Sequence, residues 1–367
     1  MTELRANNSR PRARDIGIPF EGTTGSLNAI TDVAGVEVGH TTLIAENESS
    51  GRDSCPVRTG VTAILPRGKE SDDPAFAGWF SLNGAGEMTG TTWVEESGLL
   101  EGPVLITNTH SVGTVRDAVI SWELKRSRRG VNPFFLPVVA ETYDGYLNDI
   151  NGFHVTENHV FAALDSARSG PVAEGNVGGG TGMVCYEFKG GIGTASRKLR
   201  DSDGGFVLGV LSQCNYGARR HLVIAGVPVG LEIPENTIQL EKSGSIIIVI
   251  ATDAPLLPHQ LKRLARHASL GLGRIGSVSR NSSGDIFIAF STRNRGFAKS
   301  LGSTSITMLP NERMNPMFEA CAQAVEESVI NALVAAETMT GMNGHTVMAI
   351  PHDRLRQVMA KYNRLVG

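Results

Sequence analysis

The chain has 367 residues, with Lys+Arg 34 against Asp+Glu 37 and a formal charge of -3. It is long enough to bury a large core, and it carries no long block of one sign that would attract nucleic acid or an anionic membrane surface. Its apolar runs are too short to span a bilayer, which leaves a small-molecule or peptide partner as the expectation.

The polar residues 1–15 carry four arginines and no apolar signal core, so cytoplasmic placement is expected. Strands are predicted, in chain order, at 60–65, 104–107, 135–140, 206–210 and 222–227, all short and rich in β-branched or aromatic residues. The polar stretch 232–244 then leads directly into the apolar run 246–250, an exposed loop followed by a buried strand. Residues 258–269 place Leu261, Leu264, Ala265 and Ala268 on one helical face, 286–290 reads as another strand, and 315–339 has the spacing of a long core helix. Strands and helices follow no strict βαβ rhythm, which favours a layered α/β or α+β sandwich over a Rossmann sheet. The 43 glycines are spread through apolar segments rather than gathered in a linker, so one compact body is expected.

Few side chains suggest chemistry by local pattern. At Ser243-Gly244-Ser245 a glycine before the serine would leave room for the Ser245 hydroxyl to attack the preceding carbonyl, although the same tripeptide is a common surface turn. A serine freed at a new N-terminus would carry its own base, the α-amino group. The segment Asn281-Ser282-Ser283-Gly284-Asp285 offers a hydroxyl and a carboxylate, or a plain turn. The glycine loop at 173–182 lacks the Lys-Ser/Thr ending of a phosphate loop, which leaves backbone amides at a reaction centre or tight packing. Cys55, Cys185, Cys214 and Cys321 form no C-x-x-C pair, and the nine histidines form no metal motif; no metal or cofactor is expected. Cys214 reads as a buried structural thiol, and His259 and His267 as solvated flanks of a basic helix.

Taken together, seven ordered segments resemble the P1 (DmpA/BapA-type) self-processing aminopeptidases, peptidase family S58, which includes L-aminopeptidase/D-amidase-esterases and β-aminopeptidases. They are RDIGIPF at 14–20, LNAITDVAGVEVGH at 27–40, NGAGEMTG at 83–90, TNTHSVG at 107–113, ETYDG at 141–145, the glycine loop and ATDAPL at 251–256. The resemblance implies a single-domain αββα sandwich of the DmpA/ornithine acetyltransferase type, N-terminal-nucleophile-like, cleaved into an α chain 1–244 and a β chain 245–367. It implies Ser245 as nucleophile, Ser283 and Asp285 as proton-transfer partners, and Asn215 as an oxyanion donor. Asp285 stands where β-aminopeptidases carry Glu. Glu141 would receive the substrate ammonium, with Tyr143 beside it as an oxyanion or substrate contact. A small peptide or aminoacyl-amide substrate is implied, with no nucleic acid or membrane partner, and a homo-oligomer of αβ units, a tetramer. Acyl transfer of the ornithine acetyltransferase type is an alternative against which Ser245 speaks, since those enzymes use threonine. An uncleaved binding protein is another.

Overall fold

A computed structural model of the chain describes residues 10–46, 55–126, 133–238, 244–299 and 302–366. In chain order it forms β1 (Glu37–Ala45), β2 (Val57–Leu65), β3 (Ala75–Gly84), α1 (Thr91–Ser97), β4 (Leu99–Leu100), β5 (Val104–Asn108), α2 (Val112–Arg126), β6 (Val138–Thr142) and α3 (Glu157–Asp165). A small hairpin of β7 (Val184–Cys185) and β8 (Phe188–Lys189) precedes β9 (Gly191–Lys198), β10 (Val207–Asn215) and α4 (Val229–Glu232). Then come β11 (Ser245–Thr252), α5 (Pro258–Arg274), β12 (Gly284–Ser291), α6 (Asn315–Ala335), a ribbon of β13 (Met339–Thr340) and β14 (Thr346–Val347), and α7 (His352–Lys361).

Two sheets stack face to face, one ordered β1-β2-β5-β6 and the other β4-β3-β12-β11-β10-β9. Period-2 alternation assigns each side chain to a layer. In β11, Ile247, Val249 and Ala251 enter the core between the sheets, while Ile246, Ile248 and Ile250 meet Leu261, Leu264, Ala265 and Ala268 of α5 and Val325 of α6. On the other side, Val61, Ala63, Leu105 and Val139 pack against Val115 and Val119 of α2 and Val160 of α3. The result is an αββα sandwich, as expected. Each fully buried branched side chain stabilises it by about 1.5–3 kcal/mol before the entropy of ordering is subtracted.

Each main sheet contains one parallel pair, β5–β6 crossed over by α2 and β11–β12 crossed over by α5, and the other pairings in these two sheets are antiparallel. The parallel β11–β12 pair puts the heads of both strands at one end of the sheet, with Ile246 opposite Asp285. The antiparallel β10–β11 pair brings the last residue of β10 to the same end, Asn215 opposite Ser245. One sheet edge thus collects residues that are far apart in sequence.

The predicted strand at 222–227 is corrected. That segment is a tight turn in which Ile224 and Val227 exchange backbone hydrogen bonds across Ala225 and Gly226, both at positive φ. Its apolar residues Leu222, Ile224 and Val227 are buried as a plug, not as a ladder. The strand expected at 206–210 runs on to Asn215, that at 135–140 begins only after Pro137 and reaches Thr142, and the helix at 258–269 continues to Arg274. The helix expected to 339 stops at Ala335. Of the polar stretch 232–244, residues 239–243, Ser243 among them, lie outside the described residues.

Candidate active site

Ser245 is the first residue of β11 and is buried; its Oγ accepts a hydrogen bond of 3.0 Å from the backbone N–H of Gly284 at the head of β12. Gly244 before it is wedged against β10. A Cβ there would stand 1.6 Å from the carbonyl oxygen of Asn215 and 2.8 Å from its Nδ2, a space no side chain can enter. The carbonyl oxygen of Gly244 is 2.5 Å from Ser283 Oγ, and Ser283 Oγ is also 2.5 Å from Asp285 Oδ1. Burial pushes the Asp285 carboxyl above the ordinary range, opposed by the nearby Ser283 and Ser279 hydroxyls and the Ile246 N–H.

Asn215 closes β10 with its side-chain amide fixed at both ends. Oδ1 accepts from the N–H of Val184 at 2.8 Å, and Nδ2 donates to the carbonyl oxygen of Tyr143 at 2.7 Å. The two partners, one a donor and one an acceptor, set the orientation of the amide. Nδ2 carries a second proton beyond the one given to Tyr143, and Gly244 packs beside this nitrogen.

Glu141 lies near the end of β6, buried, with Oε1 accepting from the backbone N–H of Glu87 at 3.0 Å and Oε2 accepting from the hydroxyl of Thr109. Burial is the largest influence and raises its carboxyl above the usual range, while those two hydrogen bonds pull it back. Segment 85–87 links this carboxylate to the head of β12: a Cβ on Gly86 would be 3.1 Å from both Glu141 Oε1 and the Cα of Gly284. Tyr143 is placed differently from the other side chains. Its backbone carbonyl belongs to the Asn215 contact, whereas its ring is half-exposed and folds over Gly145, where a Cβ would meet the Tyr143 hydroxyl at 2.4 Å.

The structure therefore brings Ser245, Ser283, Asp285 and Asn215 together, sets Glu141 one glycine away, and leaves the Tyr143 ring at the rim. What sequence reasoning missed are mostly backbone donors, the N–H groups of Gly284, Glu87 and Val184, together with the Thr109 hydroxyl. A backbone N–H has no signature of its own; the quoted segments 83–90 and 107–113 were the available signal, and they carried no role.

Other candidates resolve into packing. In the glycine loop the Gly178 N–H is taken by Thr42 Oγ1 at 2.8 Å and the Gly179 N–H by Thr62 Oγ1 at 3.1 Å, and the buried Lys189 reaches the Gly180 carbonyl with Nζ at 3.5 Å while donating to the carbonyls of Met183 and Gly190 at 2.8 Å. Burial pulls that ammonium down to about 7. Tight packing is the reading that holds for the loop. Cys214 sits in the core on the helix side of its sheet, its thiol raised by burial, as the structural reading expects. His267 is corrected from a solvated residue: its ring stacks on Phe318 at 3.7 Å between centroids, and its Nδ1 meets the Arg263 carbonyl at 2.7 Å. Among the described residues no group of three or more His, Cys, Asp or Glu is placed to hold a metal ion, and no helix is long and apolar enough to cross a membrane.

Comparison with known proteins points the same way. A model of peptidase family S58 matches residues 28–347. The beta-peptidyl aminopeptidase BapA of Sphingosinicella microcystinivorans is 54% identical, over 97% of this chain and 94% of its own length. Among solved structures, the L-aminopeptidase D-Ala-esterase/amidase of Ochrobactrum anthropi is a prototype serine aminopeptidase with a variant of the Ntn hydrolase fold. It matches with a TM-score of 0.92 at 51% identity, covering 97% of this chain and 100% of that one. A Burkholderia sp. beta-aminopeptidase matches with a TM-score of 0.88 at 50% identity, covering 96% and 99%. With the fold, most of its length and half of its residues shared with these proteins, the chain belongs to peptidase family S58.

Proposed function

We propose that the chain is a self-processing serine aminopeptidase, a single αββα unit that cuts itself between Gly244 and Ser245 and then hydrolyses N-terminal aminoacyl amides, peptides or esters with the freed Ser245. The observation that carries this reading is the Ser283 hydroxyl seated on the Gly244 carbonyl oxygen, immediately before the strand that Ser245 begins. Attack of Ser245 Oγ on the Gly244 carbonyl carbon puts negative charge on that oxygen, where a donor is already in place. The C–N bond then breaks, the nitrogen of Ser245 leaves as an amine with the proton given up by Oγ, and Gly244 is held as an ester. Water hydrolyses the ester, leaving a carboxylate on Gly244 and a free amine and hydroxyl on Ser245.

In the second reaction the new α-amino group, with an ordinary pKa of ~8, takes the Oγ proton as Ser245 attacks the substrate carbonyl. The leaving amine recovers that proton, and water releases the acyl group. Asn215 keeps one amide proton for the substrate oxyanion, Ser283 and Asp285 relay protons beside the new amine, and the Tyr143 ring contacts the substrate from the rim. Glu141 receives the substrate ammonium. An acylated N-terminus would leave that carboxylate buried and unpaired, which makes the enzyme an exopeptidase.

After the cut, β11 stays paired with β10, and β12 with β3, so the pieces 1–244 and 245–367 share one sheet and remain associated. The relatives' names support β-peptidyl, L-aminoacyl and D-alanyl compounds as the substrate range. Those relatives are hydrolases and the nucleophile position holds serine, which favours hydrolysis over acyl transfer. Cytoplasmic location, from the composition of residues 1–15, and assembly of αβ units into a homotetramer, by family resemblance, belong to the same proposal. A denaturing gel with N-terminal sequencing tests it: two fragments are expected, the smaller beginning Ser-Ile-Ile-Ile-Val, and a single full-length band from active protein overturns it.

A further inference from the structure

The segment 107–113 sends its side chains in different directions. Thr107 Oγ1 donates to the carbonyl of Gly60 at 3.0 Å and Asn108 Nδ2 to Thr59 Oγ1 at 2.9 Å, both within the first sheet. Asn108 Oδ1 also caps the turn that opens α2 by accepting the N–H of Ser111 at 2.9 Å. The local structural work is thus done by Thr107 and Asn108. Thr109 follows directly on the end of β5, and its hydroxyl donates to Glu141 Oε2 on the neighbouring β6. The register brings it there, since Thr107 and Asn108 lie opposite Glu141 and Thr142 in the parallel β5–β6 pair.

A carboxylate offers about four acceptor positions. In Glu141 one on each oxygen is filled, Oε1 by the N–H of Glu87 and Oε2 by Thr109, from two separate chain segments. Both ends of the group are therefore pinned, and one position on each oxygen is left for a primary ammonium with three donors. We propose that Thr109 is a positioning residue for aminopeptidase turnover, holding the Glu141 carboxylate in the pose and charge state that receive the substrate's ammonium. The inference rests on the reading of Glu141 as the amine site. Burial works against an ionised Glu141, as does the neighbouring carboxylate of Glu87, while His110, Thr109 and the Glu87 N–H act in its favour. Among these, the Thr109 hydroxyl can be removed without changing side-chain shape.

The experiment uses the full chain as Thr109→Val, Thr109→Ala and Thr109→Ser, with Glu141→Gln beside them. The readouts are self-processing by gel, kcat and KM on an aminoacyl p-nitroanilide, and the inhibition constant of alaninol, a primary amine with no scissile bond, across pH. Thr109→Val and Thr109→Ala are expected to process normally and to raise KM on the order of tenfold or more with a smaller change in kcat, as for loss of a hydrogen bond to a charged group. Alaninol binding, lost as pH falls through the Glu141 pKa, should be lost at a pH higher by about one unit in these variants. Thr109→Ser should restore both values. Unchanged KM and alaninol profiles in the Val and Ala variants, with Glu141→Gln impaired, overturn the role of Thr109 alone. If Glu141→Gln matches wild type, the amine-site reading itself fails. Failure of both the Val and Ala variants to fold makes Thr109 structural and also overturns the proposal.

Discussion

Ser283 Oγ lies 2.5 Å from the carbonyl oxygen of Gly244 and 2.5 Å from Asp285 Oδ1, one hydroxyl between two acceptors. A serine hydroxyl has a single proton to donate, so both short contacts are hydrogen bonds only when a second proton sits on the carboxyl. Protonated Asp285 would donate to Ser283 and Ser283 to Gly244. The raised carboxyl of Asp285 is consistent with that state. Self-processing is then expected to be fastest below the folded-state pKa of Asp285 and to slow as pH rises through it. Asp285→Asn, whose amide N–H can replace the carboxyl proton, should process with that dependence flattened, and Ser283→Ala should slow processing on the order of 100-fold. Rates of fragment appearance on gels across pH measure this; a wild-type rate that climbs with pH through the acidic range would count against it.

The contact between Gly244 and Asn215 predicts a stability effect separate from the chemistry. Because the space beside Gly244 Cα is filled by backbone of β10, Gly244→Ala must break the Asn215–Ser245 pairing rather than shift a side chain. The variant should stay unprocessed and lose about 1–3 kcal/mol of stability or more. Ser245→Ala should stay unprocessed with near-native stability, since only one buried hydroxyl is removed. Thermal melts of the two unprocessed chains compare them directly, and equal melting temperatures would show that β10 yields to the extra methyl.

Glu141→Gln should leave self-processing intact, because no substrate amine takes part in it, while kcat/KM on a free-amine p-nitroanilide falls on the order of 10- to 1000-fold. The N-acetylated analogue should remain a poor substrate for both proteins. A processed Glu141→Gln enzyme as active as wild type on the free amine would remove Glu141 from the substrate site.

The layered architecture was legible in the sequence where the physics is local. Five consecutive β-branched residues from Ile246 to Ile250 favour a strand buried on both faces, and the spacing of Leu261, Leu264, Ala265 and Ala268 permits one buried helical face. The turn at 222–227 departs from the expected strand although its residues are as apolar as those of one: positive φ at Ala225 and Gly226 turns the chain back, and burial without a ladder partner selects the same composition.

The candidate side chains were likewise nameable from motifs, but their assembly was not. Ser245 and Ser283 meet because β11 and β12 are parallel neighbours whose heads share one sheet edge, and Asn215 joins them because β10 runs antiparallel and ends there. Pairing partners of this kind are chosen by the whole core, not by any window of sequence. The donors that fix the site, the N–H groups of Gly284, Glu87 and Val184, belong to the backbone and are common to every residue type but proline. The sequence by itself determined which side chains were available and which segments would be buried. Tertiary structure decided which backbone amides point at them, because that depends on where strands end relative to one another in space.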